Sequence, residues 1–106
     1  MHKYELYIPD RYIDYDKTIK FFDDSMIDNV ISEIISNFNL TGVSIREELG
    51  YYKLKSGIIS KMKNKVVYFF SESGYKSDLI KYCSDLKLQL RQESLLIICD
   101  GEVILC

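Results

Sequence analysis

Two-residue and helical apolar repeats alternate along this chain in the order strand, helix, strand, strand, helix, strand. That order, two stretches with helical apolar stripes, and a late Asp-Gly turn that adds one more short strand predict an α+β protein. The expected architecture is ferredoxin-like, βαββαβ. It has an antiparallel sheet, two helices on one face and a short extra C-terminal hairpin strand. At 106 residues there is room for one core, so residues 1–106 are expected to form a single domain.

The first strand is Lys3–Ile8. Tyr4, Leu6 and Ile8 fall on one face, and Lys3, Glu5 and Tyr7 on the other. Pro9 ends it, because proline has no N–H to give to a ladder. Asp10–Thr18 reads as an acidic, Tyr-rich loop. The first helix begins at Asp23, Asp24 or Ser25, which are good N-cap residues carrying charge that suits a helix N-terminus. Met26, Ile27, Val30, Ile31, Ile34, Ile35 and Phe38 follow at three- and four-residue steps, and Asn37 and Asn39 mark the stop.

Leu40–Glu48 and Gly50–Leu54 read as a strand bent or bulged near Gly50. Lys55–Asn64 reads as a basic connection in which Ile58, Ile59 and Met62 can pack down or add a short strand. Asn64–Ser71, with KVVYFF at its centre, is β-branched and aromatic and forms the next strand. Ser73-Gly74 breaks it. The second helix runs from about Tyr75 to Leu90 on the stripe Leu79, Ile80, Cys83, Leu86 and Leu90. Ser94–Cys99 is a strand buried on both faces or nearly so. Asp100-Gly101 turns the chain into the last strand, Glu102–Leu105.

Both ends of the chain resemble a group of small, largely uncharacterised bacterial proteins with a ferredoxin-like fold. The opening KYELYIPD is similar to their first strand. Their close is a Leu-rich helix, Gln-Glu, an apolar strand and a Glu-Val or Glu-Ile ending, and here it reads LKLQLRQESLLIICDGEVIL. LTGVSIREELGYYKLKSG is loosely similar to their middle, although the Trp common there is missing. The resemblance implies the fold and transfers no catalytic residue.

Charge is unevenly spread. Between Leu49 and Ser71 there are five lysines and no acidic residue, while residues 1–48 hold ten Asp/Glu against five Lys/Arg and residues 72–106 hold six against four. The net charge is −2, so a +5 segment sits in an otherwise acidic chain. Such a segment attracts anions, and the neighbouring tyrosines can stack on planar groups. Arg46, Tyr51, Tyr52, Lys53, Lys55 and Tyr68 are therefore the candidate ligand-binding residues. The alternative for the lysines is a solvated hairpin, and for Arg46 an ion pair with Glu47 or Glu48.

The other chemistries lack their parts. The one histidine, His2, sits beside the initiator Met, where chain ends are usually loose. The three cysteines form no CxxC pair; Cys83 and Cys99 read as core filler and Cys106 as an exposed thiol. No phosphate-binding glycine pattern occurs. Asp14, Asp16, Asp23 and Asp24 lack the spacing of a calcium loop. Glu47 and Glu48 alternate to opposite faces and cannot share a proton. Arg91 reads as a helix-end cation with a surface partner. No catalytic residue, metal or cofactor is expected. No apolar run reaches the roughly 18 residues needed to span a bilayer, and the N-terminus has no apolar signal core, so a cytoplasmic protein is expected.

An open sheet face next to a basic hairpin suggests a partner. The function expected from these features is that of a non-catalytic cytosolic binding protein of the sponge or inhibitor type, of the sort phage and other mobile elements encode. It is expected to be a homodimer that engages a nucleotide or an acidic protein surface. The alternatives are a nucleotide-directed phosphodiesterase, with His2 or Glu93 moving protons, and an RNA- or DNA-binding module. The acidic pI of about 5.4 disfavours a nucleic-acid polymer.

Overall fold

The protein was analysed as a computed structural model describing residues 1–106. Its elements are β1 (His2–Pro9), β2 (Arg11–Ile13), β3 (Ile19–Phe21), α1 (Asp24–Asn37), β4 (Ser44–Lys53), β5 (Ile59–Ser71), α2 (Lys76–Gln89), β6 (Leu96–Cys99) and β7 (Glu102–Leu105). Five strands form one antiparallel sheet in the order β4-β5-β1-β6-β7, and β2 and β3 pair by themselves. This is the α+β, split βαβ arrangement with the extra C-terminal strand at one edge.

The two sheet faces differ because β1 alternates. Tyr4, Leu6 and Ile8 point toward the helices and are buried with Val67, Phe69, Ile97 and Cys99 from the adjacent strands. Ile27, Val30, Ile34 and Phe38 of the α1 region and Leu79, Cys83, Leu86 and Leu90 of the α2 region close the same core. Their three- and four-residue steps put them on one stripe of each helix. Burying a side chain of this size contributes about 1.5–3 kcal/mol. Cys83 and Cys99 are indeed core residues. Burial pushes both thiols above the ordinary cysteine value.

Helix ends follow the local chemistry. Asp23 is the α1 N-cap, its carboxylate accepting from the Ser25 N–H at 3.1 Å. α2 has no side-chain cap of its own. Instead the Tyr75 N–H donates to the buried Tyr4 hydroxyl at 2.6 Å, which ties the start of α2 to the centre of the sheet. Asp100 (φ 52°) and Gly101 (φ 83°) form the tight β6–β7 turn in the left-handed region. Asp100 also clamps the N-terminus, accepting from His2 Nδ1 at 2.7 Å and from the Lys3 N–H at 2.8 Å. His2 is therefore held, where a loose chain end was expected.

Three boundaries and the burial of Cys106 depart from the sequence reading. Asp10–Thr18 is not simply a loop: β2 and β3 form a small hairpin closed by Asp16, which accepts from the Thr18 N–H at 3.0 Å. Arg91 pins it through Asp14 at 2.6 Å, and the Gln92 amide donates to the Arg11 carbonyl at 2.9 Å. The expected basic connection is mostly strand, since β5 starts at Ile59 and pairs with β4 down to Lys53. Conversely, β4 starts only at Ser44, so Leu40–Val43 lies outside it. Cys106 is half-buried, its thiol lying 3.4 Å from the Leu95 carbonyl.

Tyr4→Phe removes the acceptor for the Tyr75 N–H without opening a cavity. Chemical denaturation should show a loss of about 1–3 kcal/mol, the cost of a buried donor left unpaired. Stability equal to the parent protein would mean that this tie does not anchor α2.

Candidate functional site

The sheet face away from the helices is uncovered, and its centre is polar. Three cross-strand rows build it. Glu5 of β1 lies opposite Tyr68 of β5, which faces Ser44 of β4; Tyr7 lies opposite Val66, which faces Arg46; Pro9 lies opposite Asn64, which faces Glu48. Arg46 reaches diagonally over this surface. Its guanidinium donates to Glu5 Oε1 at 2.7 Å, to Glu48 Oε1 at 2.8 Å and to the Tyr7 hydroxyl at 3.2 Å. It also stands 5.3 Å from the centre of the Tyr68 ring. Between Tyr7 and Arg46, Val66 is sealed from solvent although no helix covers this face.

Glu5 is the most enclosed charge of the cluster, with 12% of its side chain exposed against 32% for Arg46. A carboxylate so placed needs cationic partners, and Lys3 supplies a second at 3.7 Å. Hydrogen bonds to Glu48 and Glu5 hold the guanidinium charged, above its ordinary value. The bond from Arg46 in turn holds the Glu48 carboxyl below its usual value. Burial, and then the adjoining Glu48, raises the Tyr7 phenol, so Tyr7 stays protonated at neutral pH. The cluster offers cations, carboxylates and two tyrosine rings, Tyr7 and Tyr68, on one flat surface. Its flank toward β7 is apolar: Leu96 and Ile98 are half-buried, and Val103 and Leu105 are exposed. Two clefts lie away from Arg46. One lies beside Asp23 and Lys65, and the other lies between the helices over Phe38, Tyr75 and Tyr82.

Of the six candidate ligand-binding residues, the fold gathers Arg46, Tyr52 and Tyr68 on the open face. Tyr52 is fixed there. Its ring folds back over Gly50, where a Cβ would come within 2.6 Å of it, and its hydroxyl accepts from the buried Asn64 amide at 2.6 Å. Tyr51 and Lys53 point the opposite way on the part of the β4–β5 hairpin that runs past β1, and Lys55 sits in its tip, 3.6 Å from Glu93. The expected Arg46 ion pair forms with Glu48. Glu5, Tyr7 and Lys3 were missed as site residues. Their signal was the alternation of KYELYIP, but joining it to Arg46 requires the β4-β5-β1 order. His2 and Glu93, the suggested proton movers, lie toward opposite ends of the sheet: His2 begins β1, and Glu93 precedes β6, whose Leu96 pairs with Tyr7. Asp14, Asp16 and Asp23 are engaged by Arg91, Thr18 and Ser25.

Solved structures share this fold. A phage SAM lyase in complex with S-methyl-5'-thioadenosine superposes with a TM-score of 0.73 at 13% identity, covering 99% of this chain and 88% of that one. A phage SAM lyase in the apo state gives 0.64 at 14% identity, covering 97% and 83%. No protein-family model and no curated protein sequence matches the chain. The finding overturns the expectation of a non-catalytic sponge or inhibitor, because the fold that this chain shares over nearly its whole length is that of an enzyme. No helix is long and apolar enough to cross a membrane.

Two measurements test the geometry. Gly50→Ala should displace the Tyr52 ring and unpair the Asn64 amide, lowering stability by about 1–3 kcal/mol and removing the Tyr52–Asn64 contact from NMR spectra; an unchanged contact rejects this packing. Glu48 should titrate below the ordinary glutamate value of about 4.3. Because its folded value is depressed, its contribution is present at neutral pH and fades as the pH falls through that folded value. Solvent screening keeps the contribution small, since 40% of the side chain is exposed. In Arg46→Ala the midpoint should rise toward the ordinary value, and a midpoint that stays put would show that Arg46 does not set it.

Proposed function

We propose that this protein is a lyase acting on S-adenosylmethionine, with the Arg46-centred sheet face as its substrate surface. The observation that carries the reading is the TM-score of 0.73 over 99% of the chain to a phage SAM lyase seen with S-methyl-5'-thioadenosine. In that compound the methyl and adenosyl groups remain on one sulfur. The bond to break is therefore the one between the sulfonium sulfur and the amino-acid arm. Sulfur leaves with the bonding pair as a neutral thioether. A lyase adds no water, so the pair that the arm's carbon loses is replaced by the arm's own carboxylate oxygen, which forms a C–O bond and closes a lactone as the C–S bond breaks, with no proton transferred.

This chemistry asks the protein for placement more than for proton transfer. The substrate carries a sulfonium, an ammonium and a carboxylate. Carboxylates and tyrosine faces attract the two cations, and an arginine fork suits the carboxylate. Glu5, Glu48, Tyr7 and Tyr68 are sited for the first task and Arg46 for the second. Tyr52, held beside them by Asn64, offers a further ring for the adenine. Contact with the sheet face displaces part of the water around the sulfonium, which weakens the hydration of a charge that the reaction destroys and so lowers the barrier. The reading carries a cytosolic setting with it, where the three cysteines stay reduced.

The test is to incubate the purified protein with S-adenosylmethionine and follow S-methyl-5'-thioadenosine by chromatography and mass spectrometry. Product should exceed that of a boiled control. Arg46→Ala and Tyr68→Ala should each lower kcat/KM by about tenfold or more, the scale of a lost charge-assisted hydrogen bond or cation–π contact, while circular dichroism stays native. Product formation no faster than in the boiled control ends the proposal.

A further inference from the structure

The β4–β5 hairpin outgrows the sheet. β1 pairs with β5 from Ser71 to Asn64, and the Asp10 N–H just after it bonds to the Lys63 carbonyl at 3.1 Å, so Gly50–Lys53 and Ile59–Met62 form a two-stranded arm beyond it. A bare two-stranded ribbon is marginal in water. The β4–β5 register places Leu49 opposite Lys63, Tyr51 opposite Lys61 and Lys53 opposite Ile59, all on one face. Leu49, Tyr51 and Ile59 are 49%, 66% and 67% exposed there. Lys53, Lys61 and Lys63 make no ion pair within the chain. This face is thus apolar and carries three unneutralised positive charges.

The complement is present on the same molecule. α1 contains Asp24, Asp28 and Glu33 and no lysine or arginine. Asp24, Asp28, Ile31 and Ile35 follow at steps of four, three and four, so they form one stripe along the flank of α1, with two exposed carboxylates, then Ile31, whose inner side packs against the core, and half-buried Ile35. Lys65, next on the lysine row of β5, lies 3.9 Å from Asp24 of its own chain. Glu47 faces Lys65 from β4, and beyond that point Lys63 and Lys61 of the row make no ion pair in their own chain. The lengths agree: the 14 residues of α1 span roughly 21 Å, and Leu49–Lys53 spans about 17 Å.

We infer that the basic face of the arm docks along α1 of a second copy of this chain, in a reciprocal pair where each arm lies on the other's helix. A two-fold pair makes this contact twice. Doubling matters, because one ribbon face is small against the roughly 800 Å² per partner of a standard interface. The lysine–aspartate matching sets orientation and association rate, while Leu49, Tyr51 and Ile59 against Ile31 and Ile35 supply the apolar burial. Tyr51 and Lys53 thereby acquire a role away from the open sheet face.

Charge exchange tests this in sedimentation experiments on the whole chain, at about 50 mM and about 500 mM salt, because screening at the higher value suppresses exposed pairs. The wild type should associate at low salt and less at high salt. Lys53→Glu/Lys61→Glu/Lys63→Glu and Asp24→Lys/Asp28→Lys should each be monomeric, with association weakened about 100-fold or more. An equimolar mixture of the two should associate, since the mixed pair has one contact with its signs reversed and one contact that is wild type. If the double helix variant loses its circular dichroism signal, Asp28→Lys alone replaces it, with a smaller expected loss. A monomeric wild type at about 100 μM overturns the inference, leaving the arm to a different partner. Folded variants that associate like the wild type, or a mixture that stays monomeric, overturn it as well.

Discussion

Everything in this fold depends on the register of β1. It lies between β5 and β6 and pairs with both, so its alternation is imposed on the whole sheet. Shifting it by one residue would turn Tyr4, Leu6 and Ile8 to water and press Lys3, Glu5 and Tyr7 onto two helices. The cost of burying Glu5 without partners makes that alternative inaccessible. The Tyr4 hydroxyl adds a second lock, since it meets the Tyr75 N–H only when Tyr4 faces inward. The same register that makes the core therefore delivers Glu5 and Tyr7 to the open face, where Arg46 waits two strands away.

Arg46 gives that face order without a covering layer. A bare apolar sheet would collapse onto any other apolar surface. Here a guanidinium reaches across β5 and joins Glu5 and Tyr7 of β1 to Glu48 on its own strand. Each exposed pair by itself is worth little. Shared between two carboxylates and a phenol, the group is positionally fixed, and a fixed array of charges is what an electrostatic site needs. The apolar strip of Leu96, Ile98, Val103 and Leu105 remains next to it, so a ligand laid across the face meets charge at one end and hydrocarbon at the other.

Much of the fold was legible because its periods are clean. The α1 and α2 stripes, the KVVYFF strand and the Asp-Gly turn all state their structure locally. The β2–β3 hairpin was not legible, because its strands have three residues each and it is held by Arg91 and Gln92 from the far end of the chain. The β4 half of the arm was read as strand, but its β5 half was read as a basic connection with at most a short strand, because a lysine-rich strand with exposed apolar residues looks like a loop when no core dictates alternation. The site was half legible. Arg46, Tyr52 and Tyr68 were singled out for their chemistry, but proximity in the sequence also recruited Tyr51, Lys53 and Lys55, which the pleat and the hairpin tip send elsewhere. Glu5 and Tyr7 reach Arg46 across gaps of 41 and 39 residues, beyond any local pattern.

The functional expectation failed for a reason that can be stated physically. It took the lack of a histidine pair, a nucleophile with its base, or a metal cluster as a sign that no reaction occurs. That inference holds only for reactions in which the protein must supply the nucleophile or move the proton. A sulfonium already carries its leaving group in activated form: a positive sulfur departs as a neutral thioether and needs no acid to protonate it. For such a substrate the barrier contains hydration and conformation more than acid–base chemistry, and a surface that strips water and holds the flexible arm in a reactive shape lowers both. Aromatic rings and paired charges on a rigid sheet are sufficient equipment for that task. A chain with one tethered histidine and two of its three thiols buried in the core is therefore no less suited to catalysis of this kind, and the chemistry that its composition excludes is narrower than catalysis as a whole.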